Sequence, residues 1–397
     1  MKKRLPRNWK EIPLGKLISQ KNERYRSDIP NIAVLSITNE EGFVKSEEFF
    51  KKQVFSKDIT GYKIVRKGDL AYNPSRINVG SIALLSKFEI TAVSPIYEVF
   101  KPNEDVIGKY LLSFLKSKRG LSLIKHYCEG SVRDNLKFSG LSKISIPLPP
   151  LSTQYKIVEI LEEADNLRKL RQKADEKMKK LIPSLFTEMF GDPVMNQKGW
   201  EVKKLKDIVV CIKNGIFKRP SEFGSGVPLI NVVDLYSGHK VNNSMLERVS
   251  VTQDELEKYL VQDGDLFFCR SSLKKEGVAK CAIVINISEP TVFECHTIMV
   301  RLDEKIVNQL FSSIYLNLAK VRAFMVNRSQ TATMTTIGQR EILKLTIIVP
   351  PLPLQQEFAT RVEEIEAEKE RQVESKKKLD ELFNSLMQRA FRGELVA

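Results

Sequence analysis

Two polar, basic segments follow a repeated Gly-Asp-Leu motif, and their side chains could form hydrogen bonds with nucleic acid. The motif is Gly68-Asp69-Leu70 in the first half of the chain and Gly264-Asp265-Leu266 in the second. Arg, Lys, Asn and Ser side chains are the usual partners of base edges and phosphates. The sequence therefore predicts DNA-contacting residues behind each motif, at Asn73, Ser75, Arg76 and Asn78 and at Arg270, Ser271, Lys274 and Lys275.

A second pair of polar segments, nearer the end of each half, adds further candidates. They precede a predicted closing strand, and their candidate residues are Arg133, Asn135 and Lys137 in the first half and Thr333 and Thr335 in the second. Lys218 and Arg219 in the second block are weaker additions. For any single position the alternative is an ordinary solvated loop residue.

Motifs for catalysis or metal binding are not found in the sequence. There is no G-x-x-x-x-G-K-[ST] loop for nucleotide phosphates. The segment Tyr72-Asn73-Pro74-Ser75 resembles the Asn-Pro-Pro-Tyr motif of amino-methyltransferases but lacks its second proline and its aromatic residue. The 3 histidines are scattered, and the 5 cysteines form no C-x-x-C pair, although Cys295 precedes His296. The chain is therefore predicted to hold no metal and to have no catalytic residues of its own.

The positive charge of the chain is concentrated in two blocks. Of the net charge of +15, residues 1–151 carry +12 and residues 200–350 carry +4, whereas residues 152–199 and 351–397 carry +1 and −2. A polyanion would accordingly bind the two blocks rather than the segments between them. A generic basic surface is the alternative explanation.

The chain repeats itself once, and the offset between the copies grows along the sequence. The openings at Trp9 and Trp200 are offset by 191 residues, and the Gly-Asp-Leu motifs by 196. Pro149-Pro150-Leu151 and Pro350-Pro351-Leu352 are offset by 201, as are Gln154 and Gln355 behind them. The segments after the prolines are thus equal in length, while the blocks before them differ by ten residues. Each proline pair marks a boundary, because proline ends a strand and restricts its neighbour.

Both segments behind the proline pairs are predicted to be long helices. Apolar residues recur at spacings of three and four, as in a coiled coil, and each stripe is too narrow to be stable without a partner. The predicted fold class is α+β: two β-rich mixed domains alternate with two long helices that pair as an antiparallel coiled coil about a pseudo-twofold axis. The predicted domains are residues 1–151, 152–192, 193–352 and 353–397.

Inside each block, short apolar runs predict strands and one longer segment predicts a helix. In the first block the predicted strands are 32–38, 62–65, 69–73, 81–86 and 92–100, with a helix over 106–118. In the second block they are 228–235, 266–270, 278–285 and 292–302, with a helix over 305–327.

The duplicated order of a Trp opening, a Gly-Asp-Leu strand, a Pro-Pro-Leu exit and a long helix resembles the specificity subunits of type I restriction-modification systems. The likeness covers nearly the whole chain. The family's Pro-Pro-Leu-x-Glu-Gln signature keeps its glutamine at Gln154 and Gln355, but Thr153 and Leu354 stand where an acidic residue is usual.

This resemblance implies a function and a set of partners. The two blocks would be target-recognition domains that read a bipartite, asymmetric double-stranded DNA site with a fixed gap. The helices would be the docking surface for two modification (methyltransferase) subunits, and restriction (motor-nuclease) subunits would be further partners. S-adenosylmethionine, ATP and Mg²⁺ would be bound by those partners, and no cofactor by this chain.

Two rival functions remain open from the sequence. One is a coiled-coil adaptor that binds nucleic acid without sequence preference, and the other is a self-sufficient nuclease or methyltransferase. The start of the chain lacks the apolar core of a secretion signal, and no stretch approaches the roughly 20 apolar residues that span a bilayer. The protein is therefore expected to be cytoplasmic and not to bind membranes.

Overall fold

The computed structural model describes residues 5–26, 32–47, 58–128, 135–327, 329–331 and 335–396. The chain divides into two compact units, the first formed by residues 1–173 and 373–397 and the second by residues 174–372. The domain boundaries predicted above follow the order of elements instead, and they stay a prediction. No helix in the described part is long and apolar enough to cross a membrane.

The described part of the first unit is built from short antiparallel strands and short helices. Its strands are β1 (Lys10–Pro13), β2 (Ile18–Lys21), β3 (Leu35–Thr38), β4 (Gly42–Lys45), β5 (Lys63–Arg66), β6 (Leu70–Tyr72), β7 (Ile82–Leu84), β8 (Ile90–Val93), β9 (Glu98–Pro102) and β10 (Ser145–Leu148). The helices are α1 (Gly108–Lys116), α2 (Lys118–Tyr127) and α3 (Phe138–Lys143), followed by the long helix α4 (Leu151–Phe190). The main sheet has the order β2-β9-β6-β7.

The second unit repeats this plan. Its strands are β11 (Glu201–Lys204), β12 (Val209–Asn214), β13 (Phe223–Ile230), β14 (Glu247–Val249), β15 (Leu266–Cys269), β16 (Ser271–Ser272), β17 (Cys281–Ile283), β18 (Val292–Phe293), β19 (Thr297–Leu302), β20 (Gln330–Thr331), β21 (Thr335–Thr336) and β22 (Thr346–Val349). The helices are α5 (Gln253–Tyr259), α6 (Gln309–Asn317), α7 (Ala319–Asn327), α8 (Gln339–Leu343) and the long α9 (Leu352–Ala390). Its main sheet, β12-β19-β15-β17, has the same order of equivalent strands.

In both units the strand after the Trp opening pairs with the strand that ends at the proline pair. β1 pairs antiparallel with β10, so that Lys10 lies opposite Leu148. β11 pairs in the same way with β22, where Glu201 lies opposite Val349. The two ends of each repeat therefore meet.

The two long helices run antiparallel to each other within each unit. In the first unit Arg168 on α4 lies 2.7 Å from Asp380 on α9, and its guanidinium lies over the Phe383 ring. In the second unit the rings of Phe186 and Phe190 on α4 lie 5.7 and 5.3 Å from that of Phe358 on α9. In each unit the start of one helix thus packs beside the end of the other. The predicted α+β fold with an antiparallel helix pair is confirmed.

Three predicted elements are interrupted in the structure, and only the first interruption has a signal in the sequence, the Ser94-Pro95 pair. The run 92–100 contains a turn at Ser94–Tyr97, where the Tyr97 amide donates to the Ser94 carbonyl. The run 292–302 is interrupted in the same way, because the Thr297 amide donates to the Glu294 carbonyl. The predicted helix over 305–327 is two helices, since Leu318 adopts an extended ψ of 135°. No glycine or proline stands at Leu318 to mark that break.

The Gly-Asp-Leu motif forms the tight turn that begins a central strand. Gly68 and Gly264 have φ of 89° and 90°, a left-handed conformation that favours glycine. The aspartate carboxylate accepts the amide of the residue three positions earlier, at 3.0 Å for Asp69 and 2.8 Å for Asp265. The motif therefore recurs for a structural reason.

The two aspartates differ in their charged partners. Asp265 is fully buried and accepts two hydrogen bonds of 2.7 Å from the Arg301 guanidinium. In the first unit Lys101 stands at the equivalent position of β9, and burial raises the pKa of Asp69 above its ordinary value.

We predict that Asp265→Asn destabilises the second unit by about 2 kcal/mol, because it removes charge-assisted bonds in a buried site. Asp69→Asn is expected to cost nothing at pH 7, since the amide oxygen keeps the backbone bond and avoids burying a charge. The urea midpoints of the two variants are compared. Unfolding is followed by the fluorescence of Trp200 for the second unit and of Trp9 for the first. Equal losses of stability in the two variants would contradict the conclusion that only Asp265 is stabilised by a charged partner.

A partly buried carboxylate on α9 holds a surface turn of the second unit. The Glu366 carboxylate lies 2.7 Å from His239 Nε2 and 2.5 Å from Lys240 Nζ. Burial alone would raise the pKa of Glu366, but the hydrogen bonds and charges of His239 and Lys240 outweigh it and lower the pKa from 4.5 to about 2.

Because this pKa is lowered by folding, the carboxylate stabilises the protein above pH 4.5, and the stabilisation is lost as the pH falls toward 2. Glu366→Gln is expected to lower the free energy of unfolding by about 2 kcal/mol at pH 7 and by progressively less below pH 4.5. Urea titrations followed by Trp200 fluorescence at pH 7, 4.5 and 3 measure this difference. Glu363→Gln, an exposed glutamate on the same helix, should leave the midpoint unchanged at every pH.

Candidate nucleic-acid interface

The loop behind β6 in the first unit is folded by its own side chains. Asn73 Oδ1 accepts hydrogen bonds from the Ser75 amide at 3.1 Å and from the Ser75 hydroxyl at 2.9 Å. Ile77 is fully buried and anchors the loop, whereas Ser75 and Arg76 are exposed. Asn78 is partly buried. Asn73 therefore shapes the loop, and Arg76 is the charged side chain that it presents to solvent.

The structure brings this loop beside the second polar segment of the first unit. The buried Tyr72 hydroxyl donates to the Leu136 carbonyl at 3.1 Å, and the Leu136 amide donates to the Pro74 carbonyl at 3.0 Å. Burial raises the pKa of Tyr72, which keeps the hydroxyl protonated as a donor. Asn135 and Lys137 flank Leu136 and thus lie next to the 73–78 loop. Arg133 lies outside the described residues.

The second unit brings its two polar segments together in the same way. The Ile337 amide donates to the Arg270 carbonyl at 2.9 Å. β16 pairs antiparallel with β21, which places Ser271 opposite Thr336 and Ser272 opposite Thr335. Thr333 lies outside the described residues. Loops predicted separately from the sequence are therefore neighbours in both units.

The side chains of the second pair of loops differ in how far they reach solvent. Ser271 and Thr335 are buried, at 8% and 3% exposure. Arg270 is half-buried, with its guanidinium donating to the Cys295 carbonyl at 3.2 Å. Lys274 and Lys275 are exposed at the tip of the loop. The lysines are thus the groups best placed for phosphates, and Arg270 lies deeper.

An open cavity of about 930 Å³ adjoins the 270–275 loop. Ser271 and Lys274 line it together with apolar side chains that include Leu273, Val233 and Tyr236. Leu273 is 84% exposed between polar and basic neighbours, and so is available for apolar contact with a base. Leu273 is not among the residues predicted from the sequence, although an apolar residue within the Arg270–Lys275 loop was a usable signal.

The two weaker candidates of the second unit have different environments. The Lys218 ammonium lies 3.0 Å from Glu222 and 2.7 Å from Glu255, and its side chain is only 5% exposed. Burial lowers the pKa of Lys218, but the two carboxylates outweigh burial and raise it. Arg219 is exposed, and the neighbouring Phe217 is 74% exposed. Arg219 and Phe217, rather than Lys218, are therefore accessible to a ligand.

Comparison with known proteins identifies the kind of chain that carries this arrangement. A family model described as "Type I restriction modification DNA specificity domain" matches residues 10–180 and 197–382. The chain is 24% identical over 317 residues to the type I restriction enzyme EcoKI specificity subunit of Escherichia coli (strain K12), covering 75% of this chain and 68% of that protein. It is 26% identical over 418 residues to the MjaVIII specificity subunit of Methanocaldococcus jannaschii, covering 96% and 93%.

Solved structures share the fold at low identity. A chain from a structure described as "Structural basis underlying complex assembly and conformational transition of the type I R-M system" aligns with a TM-score of 0.63 and 19% identity, covering 99% of this chain and all of that one. The type I restriction-modification S subunit from M. genitalium aligns with a TM-score of 0.54 and 13% identity, covering 98% of both chains. The two matched segments include both pairs of loops and most of both long helices, and the chain belongs to the type I restriction-modification DNA specificity family.

Proposed function

We propose that this chain reads a bipartite, asymmetric site on double-stranded DNA, one half with each unit. The observation that carries this proposal is the repeated pair of loops, joined through Pro74 and Leu136 in the first unit and through Arg270 and Ile337 in the second. The backbone hydrogen bond that joins the two loops is equivalent in the two units, but the exposed side chains differ. Two similar scaffolds with different polar side chains suit two different half-sites.

The contacts divide into two kinds. Exposed lysines such as Lys274 and Lys275 suit phosphates, which position the protein without reading sequence. Arg76 and Asn135 in the first unit, and Arg270 with Leu273 in the second, suit base edges. Lys218 is the weakest of the candidates, because Glu222 and Glu255 already neutralise it.

The long helices are proposed to carry the partner subunits. On the first unit Leu167 and Leu170 of α4, and Val373 and Leu382 of α9, are exposed by 48, 61, 64 and 51% on helices that are otherwise largely charged. A modification (methyltransferase) subunit is proposed to pack against these side chains. Restriction (motor-nuclease) subunits would join the same complex. S-adenosylmethionine, ATP and Mg²⁺ would be bound by these partners, and this chain would contribute recognition without catalysis.

The experiment that tests the function maps methylated adenines in the host genome with and without this gene. A two-part motif with an unread gap that disappears on deletion supports the proposal. Purified chain with the modification subunit should then bind a duplex of that motif roughly a thousandfold more tightly than random DNA. Equal affinity for both duplexes would favour the coiled-coil adaptor, and methylation by this chain alone would favour a self-sufficient enzyme.

A separate prediction concerns the proposed phosphate contacts of Lys274 and Lys275. Lys274→Ala with Lys275→Ala should weaken binding to every duplex alike and reduce the slope of log affinity against log salt by about 2, one unit for each lost phosphate contact. Fluorescence anisotropy at several salt concentrations measures this slope. The matched control is Lys376→Ala with Lys377→Ala, an exposed lysine pair on α9, which should leave the slope unchanged. A change in base preference without a change in slope would contradict the assignment.

A further inference from the structure

Three consecutive side chains with metal-binding atoms converge in the second unit. Glu294, Cys295 and His296 form the turn between β18 and β19. Glu294 Oε1 lies 3.1 Å from Cys295 Sγ and 3.8 Å from His296 Nε2. One ligand atom from each residue lies within 4.8 Å of the other two.

These separations suit a tetrahedral metal ion. Zinc binds thiolate sulfur at about 2.3 Å and imidazole nitrogen or carboxylate oxygen at about 2.0–2.2 Å, so its ligand atoms lie about 3.3–3.6 Å apart. The two distances measured from Glu294 bracket that range. Small rotations of the side chains would therefore let all three atoms bind one ion.

The backbone of the turn is already fixed in position. The Glu294 carbonyl accepts hydrogen bonds from the Thr297 amide and hydroxyl, and Glu294 Oε2 accepts one of 2.8 Å from the His296 amide. The backbone of Gly215 packs directly against the turn, where an added Cβ would lie 2.2 Å from the Glu294 carbonyl. Binding an ion would therefore require little ordering of the chain.

We propose that Glu294, Cys295 and His296 form a three-ligand site for one Zn²⁺ or a similar borderline divalent cation such as Co²⁺. Thiolate, imidazole and carboxylate are the ligands that such ions accept. Binding replaces the thiol proton of Cys295 by the metal and releases that proton to solvent. The corresponding turn of the first unit has Ser94, Pro95 and Ile96, so the site belongs to the second unit.

The site lies beside the cavity and at the base of the 270–275 loop. A bound ion would therefore have an open coordination position and would affect that loop. Glu294 and His296 line the 930 Å³ cavity, from which water or a bound ligand could supply the fourth donor atom. The Arg270 amide donates to the His296 carbonyl, and the Arg270 guanidinium donates to the Cys295 carbonyl. An ion held by the turn would thereby stiffen the base of the 270–275 loop. The site itself does not depend on DNA recognition.

Titration of the metal-free full chain with Co²⁺ tests this proposal. One equivalent should bind and produce a near-ultraviolet band from thiolate-to-cobalt charge transfer, and Zn²⁺ should displace it. Cys295→Ser should abolish the band, and His296→Ala should weaken binding at least tenfold. Cys211→Ser, which removes another partly buried thiol, should keep the band. Absence of the band from the parent chain, or its persistence in Cys295→Ser, overturns the proposal.

A second measurement uses the unaltered chain and therefore does not depend on whether the variants fold. Zn²⁺ should protect Cys295 from alkylation, as read by peptide mass spectrometry, while the half-buried Cys128 keeps its rate of modification. Alkylation of Cys295 at the same rate with and without Zn²⁺ overturns the site. This result is independent of whether the chain binds specific DNA.

Discussion

Exchange of residues 200–350 for the equivalent segment of a relative is expected to change the bases recognised in one half of the DNA site and to leave the other half unchanged. The exchanged segment contains Arg270, Lys274 and Thr335, together with the strands that support them. The loops at 73–78 and 135–137 belong to the first unit and remain as they were. Specific affinity should move to the hybrid site, with roughly a thousandfold preference over the parental site.

Methylated-adenine mapping in cells that carry the hybrid gene measures this change, and binding to the four combinations of half-sites measures its size. The matched control is the reverse exchange of residues 9–149, which should alter the opposite half-site. Phe186, Phe190 and Phe358, on the parts of α4 and α9 that belong to the second unit, lie outside the exchanged segment and pack against Phe311 inside it, so this packing surface is retained. A change in both half-sites from one exchange would contradict the assignment of one half-site to each unit.

Much of the fold was predictable because the chain repeats itself. The recurrence of Gly-Asp-Leu indicated equivalent strands, and the structure places both motifs at the start of a central strand of the same sheet order. The heptad stripes indicated paired helices, because each stripe is too narrow to be buried without a partner. Periodicity reports which face of an element is buried, but it does not report where a strand is interrupted. The turn at Glu294–Thr297 therefore escaped prediction, whereas Pro95 was a usable signal for the turn at Ser94–Tyr97.

The candidate site was predictable only in part, since its geometry depends on contacts between distant residues. The sequence placed polar residues at 73–78 and at 135–137, but the hydrogen bond between Leu136 and Pro74 that joins them spans about sixty residues. Lys218 was a DNA-binding candidate in the sequence, but the structure pairs it with Glu222 and with Glu255, which lies 37 positions away. A charged loop residue thus predicts a ligand contact only where no distant carboxylate forms an ion pair with it.

The largest loss of stability is expected when the second copy of the repeated glutamine, Gln355, is replaced. Gln355 is fully buried; its Oε1 accepts the Asn308 amide at 2.8 Å, and its Nε2 donates to the carbonyls of Ile306 and Pro350 at 3.3 and 2.7 Å. Gln154 makes the equivalent three bonds in the first unit, with Ile107, Asp105 and Pro149. Each glutamine thereby ties the start of a long helix to the loop before a short one.

Gln355→Leu is expected to destabilise the second unit by about 4 kcal/mol, because three buried backbone groups lose their partner while the side-chain volume is nearly kept. The chain has 2 tryptophans, with Trp9 in the first unit and Trp200 in the second. Urea unfolding in a Trp9→Phe background therefore reports the second unit through Trp200. Gln154→Leu in a Trp200→Phe background should give a similar loss for the first unit. Gln172→Leu, at an exposed position of α4, should leave the midpoint unchanged.

Gln355→Glu separates hydrogen bonding from packing, since the two side chains have nearly the same shape. A glutamate carboxylate could still accept the Asn308 amide, but it would face two carbonyl oxygens with no proton to donate. The variant should be at least as unstable as Gln355→Leu at pH 7 and should recover stability as the pH falls and the carboxyl group becomes protonated. If Gln355→Glu matches the parent chain at pH 7, the two bonds donated by Nε2 do not hold the helix to the loop.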